Sequence, residues 1–253
     1  MADKKIIFLA SDCESSRWVY NALKQNFAIQ KAIIETPVSK KLLIKNRIKR
    51  IGLVKVAGQV AFSILINPWL SFVAKKRKAE LINEYQLNNA AFDNTDSIKV
   101  NSVNDEACMQ LLQQLQPDIV IVNGTRIISK KILSCTTATF INMHVGITPA
   151  YRGSHGGYWA LYNNDDKNFG TTIHLVDAGV DTGGIIKQVF LSPTKKDNFS
   201  TYPIIQIGGG IKALIDVVKE SLVKQPTTIT NHLAKGELYY QPTIWAYLFN
   251  KTK

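Results

Sequence analysis

The chain is 253 residues long, 45% hydrophobic and 20% charged, the composition of an ordinary folded domain with material for a sizeable core. Its three cysteines, Cys13, Cys108 and Cys135, are dispersed and odd in number, which argues against a disulfide framework or a structural zinc and fits a reducing cytoplasm. The formal charge of +12 invites a nucleic-acid reading, but seven Lys/Arg fall in residues 38–55 and four more in residues 75–78, leaving about +1 for the remainder; one segment, not the whole surface, makes the protein basic.

In chain order, the opening MADKKIIFLASDCE lacks the character of a secretory signal, because its apolar run is short and acids follow at once. Residues 6–10 read as a buried strand that reaches a Ser-Asp turn. Residues 15–25 have helical spacing, and 27–36 alternate as a second strand. Residues 39–85 then interrupt the pattern with a basic helical insertion. Inside it, residues 56–74 form nineteen positions without a formal charge, long enough to span a bilayer. Gln59, Asn67 and Pro68-Trp69 weaken that reading, and a single span would place the flanking strands in different compartments. Two alternatives stay open: a basic, apolar helical pair lying on an anionic membrane surface, and an insertion packed on the core.

Residues 106–115 read as a helix, and 118–122 (DIVIV) and 138–142 (ATFIN) as apolar strands. Residues 171–176 and 184–191 are further strands. Residues 202–223 form a long amphipathic helix that Gly208-Gly209-Gly210 should weaken or kink. Strands alternating with helices predict an α/β fold with a Rossmann-like, mostly parallel sheet. The expected organisation is a catalytic domain over 1–225 carrying the insertion, followed by a short C-terminal extension over 226–253.

The chemistry concentrates after residue 141. In an open α/β sheet, ligands sit beyond the carboxyl ends of the strands. Asn142 and His144 stand i, i+2 on a strand, so both aim at one face. An amide there can donate to a developing oxyanion, and an imidazole can donate or pass a proton. The bland alternative is that Asn142 caps a turn and His144 is a satisfied structural histidine. Residues 171–186 (TTIHLVDAGVDTGGII) lead a strand carrying His174 into a glycine-bearing loop with Asp177 and Asp181, where backbone can approach a ligand closely. An acid beside a histidine sets its tautomer and tunes its pKa. The loop has too few oxygen ligands, and the wrong spacing, for a calcium site.

Four motifs in order, DIVIVNGTRIISKKIL, INMH, P-x-Y-R-G and GTTIHLVDAGVDTG, closely resemble the folate-dependent formyltransferases. That group includes glycinamide ribonucleotide transformylase, methionyl-tRNA formyltransferase and the sugar N-formyltransferases. The likeness covers about seventy residues strongly and the opening strand–helix–strand weakly. It implies the formyltransferase fold, 10-formyltetrahydrofolate as donor and no metal. It also implies a catalytic trio of Asn142, His144 and Asp181. Arg126, Ile127 and Ile128 match one wall of the family's pterin pocket, and Val176, Asp177 and Gly179 lie in the loop that matches the other. His174 matches a histidine of some members, with a packed structural role at least as fitting as a catalytic one.

On this reading a neutral amine attacks the formyl carbon, Asn142 and a protonated His144 hold the oxyanion, and Asp181 accepts the proton and holds His144. Pro149 and Gly153 fix the loop after the strand. Arg152 offers a guanidinium to a phosphate or carboxylate, and Tyr151 and His155 complete a candidate substrate-binding set.

Departures from the family point to the acceptor. Ser11-Asp12-Cys13-Glu14 stands where the purine-pathway enzyme has a glycine-rich phosphate loop, and two acids make a poor phosphate nest. The tRNA enzyme carries a sizeable C-terminal domain, and the roughly thirty residues that follow the long helix here lead us to expect none. The expected acceptor is therefore an amino sugar, nucleotide- or lipid-linked, for surface-polysaccharide synthesis, with nucleic acid not expected as a partner. Gly236 to Tyr240 resemble a short hairpin of some sugar enzymes. The insertion is expected to touch an anionic membrane surface, placing a cytoplasmic protein peripherally on the inner face. The apolar tail (Trp245, Tyr247, Leu248, Phe249) suggests an interface such as a homodimer, or a cover for the core. Two other classes are a 10-formyltetrahydrofolate hydrolase using the same site and a basic RNA- or membrane-binding module on a retired enzyme fold.

Overall fold

A computed structural model describes residues 4–249. In its first part β1 (Ile6–Ser11), α1 (Glu14–Lys24) and β2 (Ile29–Glu35) precede the inserted helices α2 (Lys40–Ile51), α3 (Leu53–Ala61), α4 (Asn67–Val73) and α5 (Lys75–Glu84). The core resumes with β3 (Ser97–Val100), α6 (Glu106–Leu115), β4 (Ile119–Asn123), α7 (Lys130–Leu133), β5 (Thr139–His144), β6 (Arg152–Gly153) and α8 (Gly156–Tyr162). It closes with β7 (Gly170–Leu175), β8 (Ile185–Phe190), α9 (Tyr202–Ser221), β9 (Leu238–Tyr239) and α10 (Ile244–Leu248).

Seven strands form one sheet in the order β3-β2-β1-β4-β5-β7-β8. The five from β3 to β5 run parallel, and β7 and β8 are antiparallel to their neighbours. The chain thus has the mostly parallel α/β architecture its pattern predicts. Strand alternation divides the core in two. Phe8, Ala10, Ile121, Ile141 and Met143 face α1 and α9. Ile7, Leu9, Val120, Val122 and Phe140 face α6 and α7, where Cys108, Leu112 and Ile132 meet them. Each such large aliphatic contributes about 1.5–3 kcal/mol by leaving water.

The helix α9 is continuous, not kinked at its three glycines. Each glycine faces a different neighbour that a Cβ would strike: Tyr85 at Gly208, Leu191 at Gly209, Thr171 and Met143 at Gly210. Close packing on three sides offsets the poor helix propensity of glycine.

In the insertion, α3 runs through a π-helical turn (Phe62–Ile66) into α4, so that residues 53–73 form one apolar rod. The wider turn lies just before Pro68, whose ring would otherwise crowd the carbonyl four residues back. The inner side of the rod is packed: Phe62 and Leu70 join Tyr158 and Phe199, with Ile244 and Tyr247 against them. Because β2 and β3, which flank the insertion, pair with each other, this rod lies along the protein and cannot cross a bilayer without tearing the sheet. The tail locks it in place, with Gln59 donating to the Gln241 carbonyl at 2.8 Å. The expected hairpin at 236–240 is instead a short parallel pairing of β9 with β6, because the partner strand comes from the distant loop 152–153 and not from an adjacent turn.

Candidate active site

The register of two strands builds the site. β5 and β7 are antiparallel neighbours in which Asn142 lies directly opposite His174, and His144 opposite Thr172. Directly opposed residues share a face of the sheet, so one strand presents Asn142 and His144 and the other adds His174 beside them. This face carries Phe140 into the α6–α7 core; Asn142 and His144 continue the same row beyond it. Loop 176–184 folds over that row and inserts Asp181, whose left-handed backbone (φ 50°) aims its carboxylate between the two imidazoles. Its Oδ2 lies 3.4 Å from His144 Nδ1 and its Oδ1 3.6 Å from His174 Nε2. The Gly153 N–H donates to Oδ2 at 2.9 Å.

The hydrogen bonds fix the proton positions. His144 Nε2 lies 2.8 Å from the Tyr151 carbonyl. A carbonyl only accepts, so Nε2 carries the hydrogen and Nδ1 is the basic nitrogen of the neutral ring. His174 Nδ1 likewise donates to the Leu175 carbonyl at 2.7 Å. Its Nε2 therefore accepts from the Asn142 amide at 3.1 Å, which orients the amide and leaves its second N–H for the cleft. Burial depresses the His144 pKa, against the opposing pull of Asp181 and the Tyr151 carbonyl. Burial pushes the Asp181 carboxyl up, but His144, His174 and the Gly153 N–H together override it and hold it at about 2. The resting pair is a neutral imidazole beside an ionised carboxylate. Gly146 underlies this geometry: a Cβ there would collide with both the Tyr151 carbonyl and His144 Nε2.

These groups open into a cleft of about 530 Å³, within the size range of small-molecule sites. Val122, Ile127, Ile128, Val176 and Val180 line it alongside Asn142, His144 and Asp181. Arg126, Asp177, Gly179 and His155 also border it. Burial lowers the pKa of His155 to about 4, with Arg47 acting in the same direction. Three expected contacts come out differently. The guanidinium of Arg126 is taken up by Glu35 at 2.9 Å and by the carbonyls of Thr36 and Asn101, so this residue shapes the wall and is not a free cation. The Tyr151 ring is buried, and its hydroxyl donates to Asp165 at 2.8 Å; only its carbonyl serves the site, through His144. Arg152 turns away from the main cleft and donates to the carbonyls of Val180 and Gly236, beside a smaller cavity of about 350 Å³ on the far side of Asp181.

Sequence reasoning passed over Glu35. It is buried at the end of β2 and accepts from Ser11 Oγ and from the N–H groups of Arg126 and Val103. One carboxylate thus ties the ends of β1 and β2 to the loop after β4. An acid closing the apolar run AIIE was the available signal.

A mostly parallel sheet with an amide, two histidines and a carboxylate at one cleft is an arrangement that can hold an oxyanion and move a proton. Residues 67–202 match the family model described as formyl transferase, so the chain belongs to the formyl transferase family. A methionyl-tRNA formyltransferase from Thermodesulfovibrio yellowstonii is 30% identical over 141 residues, which are 55% of this chain and 44% of that protein. The chain spans less than half the length of the curated relatives it matches first. Among solved structures, phosphoribosylglycinamide formyltransferase from Streptococcus pneumoniae superposes with a TM-score of 0.55 at 22% identity, covering 88% of this chain and all (100%) of that one. A sugar N-formyltransferase from a Shewanella species gives 0.57 at 14% identity, covering 93% and 76%. At such identities the likeness speaks for the fold.

Proposed function

We propose that the protein transfers a formyl group from 10-formyltetrahydrofolate to the primary amine of an amino sugar carried on a nucleotide or a lipid. The observation that carries the transfer reaction is the wired set Asn142–His174 and His144–Asp181 at one cleft. The donor supplies an activated formyl carbon. A flat bicyclic ring suits the slot between the apolar walls formed by Val122, Ile127 and Ile128 and by Val176 and Val180. The second N–H of Asn142 is placed to donate to the formyl oxygen as negative charge develops there. His144 Nδ1, kept neutral by burial, accepts the proton that the attacking amine must lose, and ionised Asp181 stabilises the resulting imidazolium; as the tetrahedral intermediate collapses, the bond from the formyl carbon to the donor nitrogen breaks and that proton passes to the departing tetrahydrofolate nitrogen. This divides the labour differently from the expectation of a protonated His144 as oxyanion donor, since its Nε2–H is already given to Tyr151. His174 acts through Asn142 as a positioning residue.

The turn after β1 supports a sugar over the purine-pathway acceptor. Asp12 there is ion-paired with Arg17 at 2.8 Å, and Cys13 and Glu14 complete a turn with no glycine cradle for a phosphate. Methionyl-tRNA is a second reading, favoured by the sequence relatives. A panel assay separates them: tetrahydrofolate release is followed with nucleotide-linked amino sugars, glycinamide ribonucleotide and methionyl-tRNA in turn, and products are identified by mass. Formylation of an amino sugar, lost in His144→Ala, is the expected result. Formyl-methionyl-tRNA as the product would replace it with the second reading, and donor turnover without any amine would indicate a hydrolase.

A further inference from the structure

The inner side of the rod 53–73 is packed on the core, but among the described residues nothing covers its outer side. Leu53, Val54, Ile64, Leu65, Trp69, Phe72 and Val73 recur at helical spacing and are all more than half exposed, Phe72 reaching 77%. Along α2, Leu42, Leu43 and Ile44 are exposed as well. An apolar stripe of this length is rare on a soluble monomer and marks an interaction surface. Its charge environment names the partner. Residues 36–79 contain no acid at all, and Lys40, Lys41, Lys45, Lys49, Arg50, Lys55, Lys75 and Lys76 are exposed around the stripe. Within the second cluster, Arg77 turns inward to Asp197, so Lys75 and Lys76 carry its outward charge.

We propose that this face seats the protein on an anionic lipid bilayer, with the stripe lying in the headgroup region parallel to the surface and the lysines on anionic headgroups. Apolar residues including Trp and Phe on one side of a helix, edged by lysines, are what such binding requires. A second copy of the chain fits worse, because a self-paired face would bring the cationic clusters together. An RNA would engage the lysines but leave the leucines and Phe72 in water. The seat also lies near the cleft: Phe62, on the inner side of the rod, packs edge-to-face against Phe199, which in turn meets the His155 ring at the cleft wall. An acceptor embedded in that membrane would be within reach. The binding itself does not depend on which amine is formylated.

The test is co-sedimentation of the whole protein with vesicles of phosphatidylcholine, with and without about one third phosphatidylglycerol, at low and high salt. Binding to the anionic vesicles at low salt is expected, weakening in about 0.5 M salt as headgroup attraction is screened. The emission of Trp69 should shift to the blue and be quenched by brominated lipid, a signal missing from Trp69→Phe. The double variant Ile64→Asp/Phe72→Asp, at exposed positions and checked for folding by circular dichroism, should partition at least about tenfold less. Reversing Lys40 and Lys45 to Glu should cost about fivefold or more for each residue changed. Indifference to anionic vesicles at low salt overturns the proposal. So does equal binding by the Ile64/Phe72 variant. A dimer in solution that the same double substitution dissociates, or tRNA binding that vesicles do not compete, would equally reassign the face.

Discussion

The cleft and the outer face of the insertion are opposites in how they treat unsatisfied groups. In the cleft, His144, His174 and Asp181 each hold a fixed partner, down to which ring nitrogen carries a hydrogen. On the outer side of the rod 53–73, large apolar side chains stand half or more in water. The first arrangement is complete within the chain except for a small polar ligand; the second is complete only when something covers it. On the two proposals made above, one fold carries chemistry and placement on separate surfaces, and the two can be broken separately.

The sharpest break is at His144. His144→Ala should lower the transfer rate by about 10²- to 10⁴-fold, with vesicle binding unchanged, as measured by single-turnover tetrahydrofolate release. Asn142→Ala should follow, losing about 10²- to 10³-fold in kcat while donor affinity, read by equilibrium titration, changes little. The converse variant, Ile64→Asp/Phe72→Asp, should keep turnover of a soluble amine within about twofold, since both side chains are exposed and neither lines the cleft. A cleft variant that also released the protein from vesicles would merge the two surfaces.

Smaller effects concern the scaffold. Glu35→Ala removes the carboxylate partner of the Arg126 guanidinium and leaves the N–H groups of Arg126 and Val103 without their acceptor, and should cost about 3 kcal/mol in a denaturant melt. Gly146→Ala should be folded but slow, because the new methyl displaces either the Tyr151 carbonyl or the His144 ring; a crystal structure of the variant would show which. Below neutrality the pH dependence of stability has one sign. His144 and His155 have depressed pKa values in the fold, His155 reaching about 4, so the unfolded chain binds protons first. Stability should fall as pH drops below about 6.5. Asp181, held at about 2, extends the loss below the ordinary Asp range, so its share is fully present above about 4 and vanishes near 2. Thermal melts between neutral and acid pH would check this, and a Tm rising on acidification would contradict it.

Much of this was legible in the sequence, and the reason is local. Asn142 and His144 share a face because a strand has a period of two, and their place after the apolar run ATFI put them at its end. The sheet followed from alternating strands and helices. What was not legible depends on pairing between distant segments. His174 orients Asn142 only because β7 runs antiparallel to β5 in one particular register, and no periodicity within either strand states that. Glu35 meets Arg126 across 91 positions of chain. Arg152 and Tyr151 read as substrate contacts from their motif, yet carbonyls and Asp165 claim their polar ends. The glycines of α9 looked like a weak point because their four neighbours, residues 85, 143, 171 and 191, are spread over the chain.

The central claim is that Asn142, His144 and Asp181 move a formyl group to an amine and not to water. Its most direct test is the stoichiometry of a single reaction: tetrahydrofolate released, formylated amine formed and free formate formed, all measured with 10-formyltetrahydrofolate and the best amino-sugar acceptor. One formylated amine for each tetrahydrofolate and almost no formate are expected, with the whole reaction lost in His144→Ala. Formate matching tetrahydrofolate, whether or not the amine is present, would contradict it.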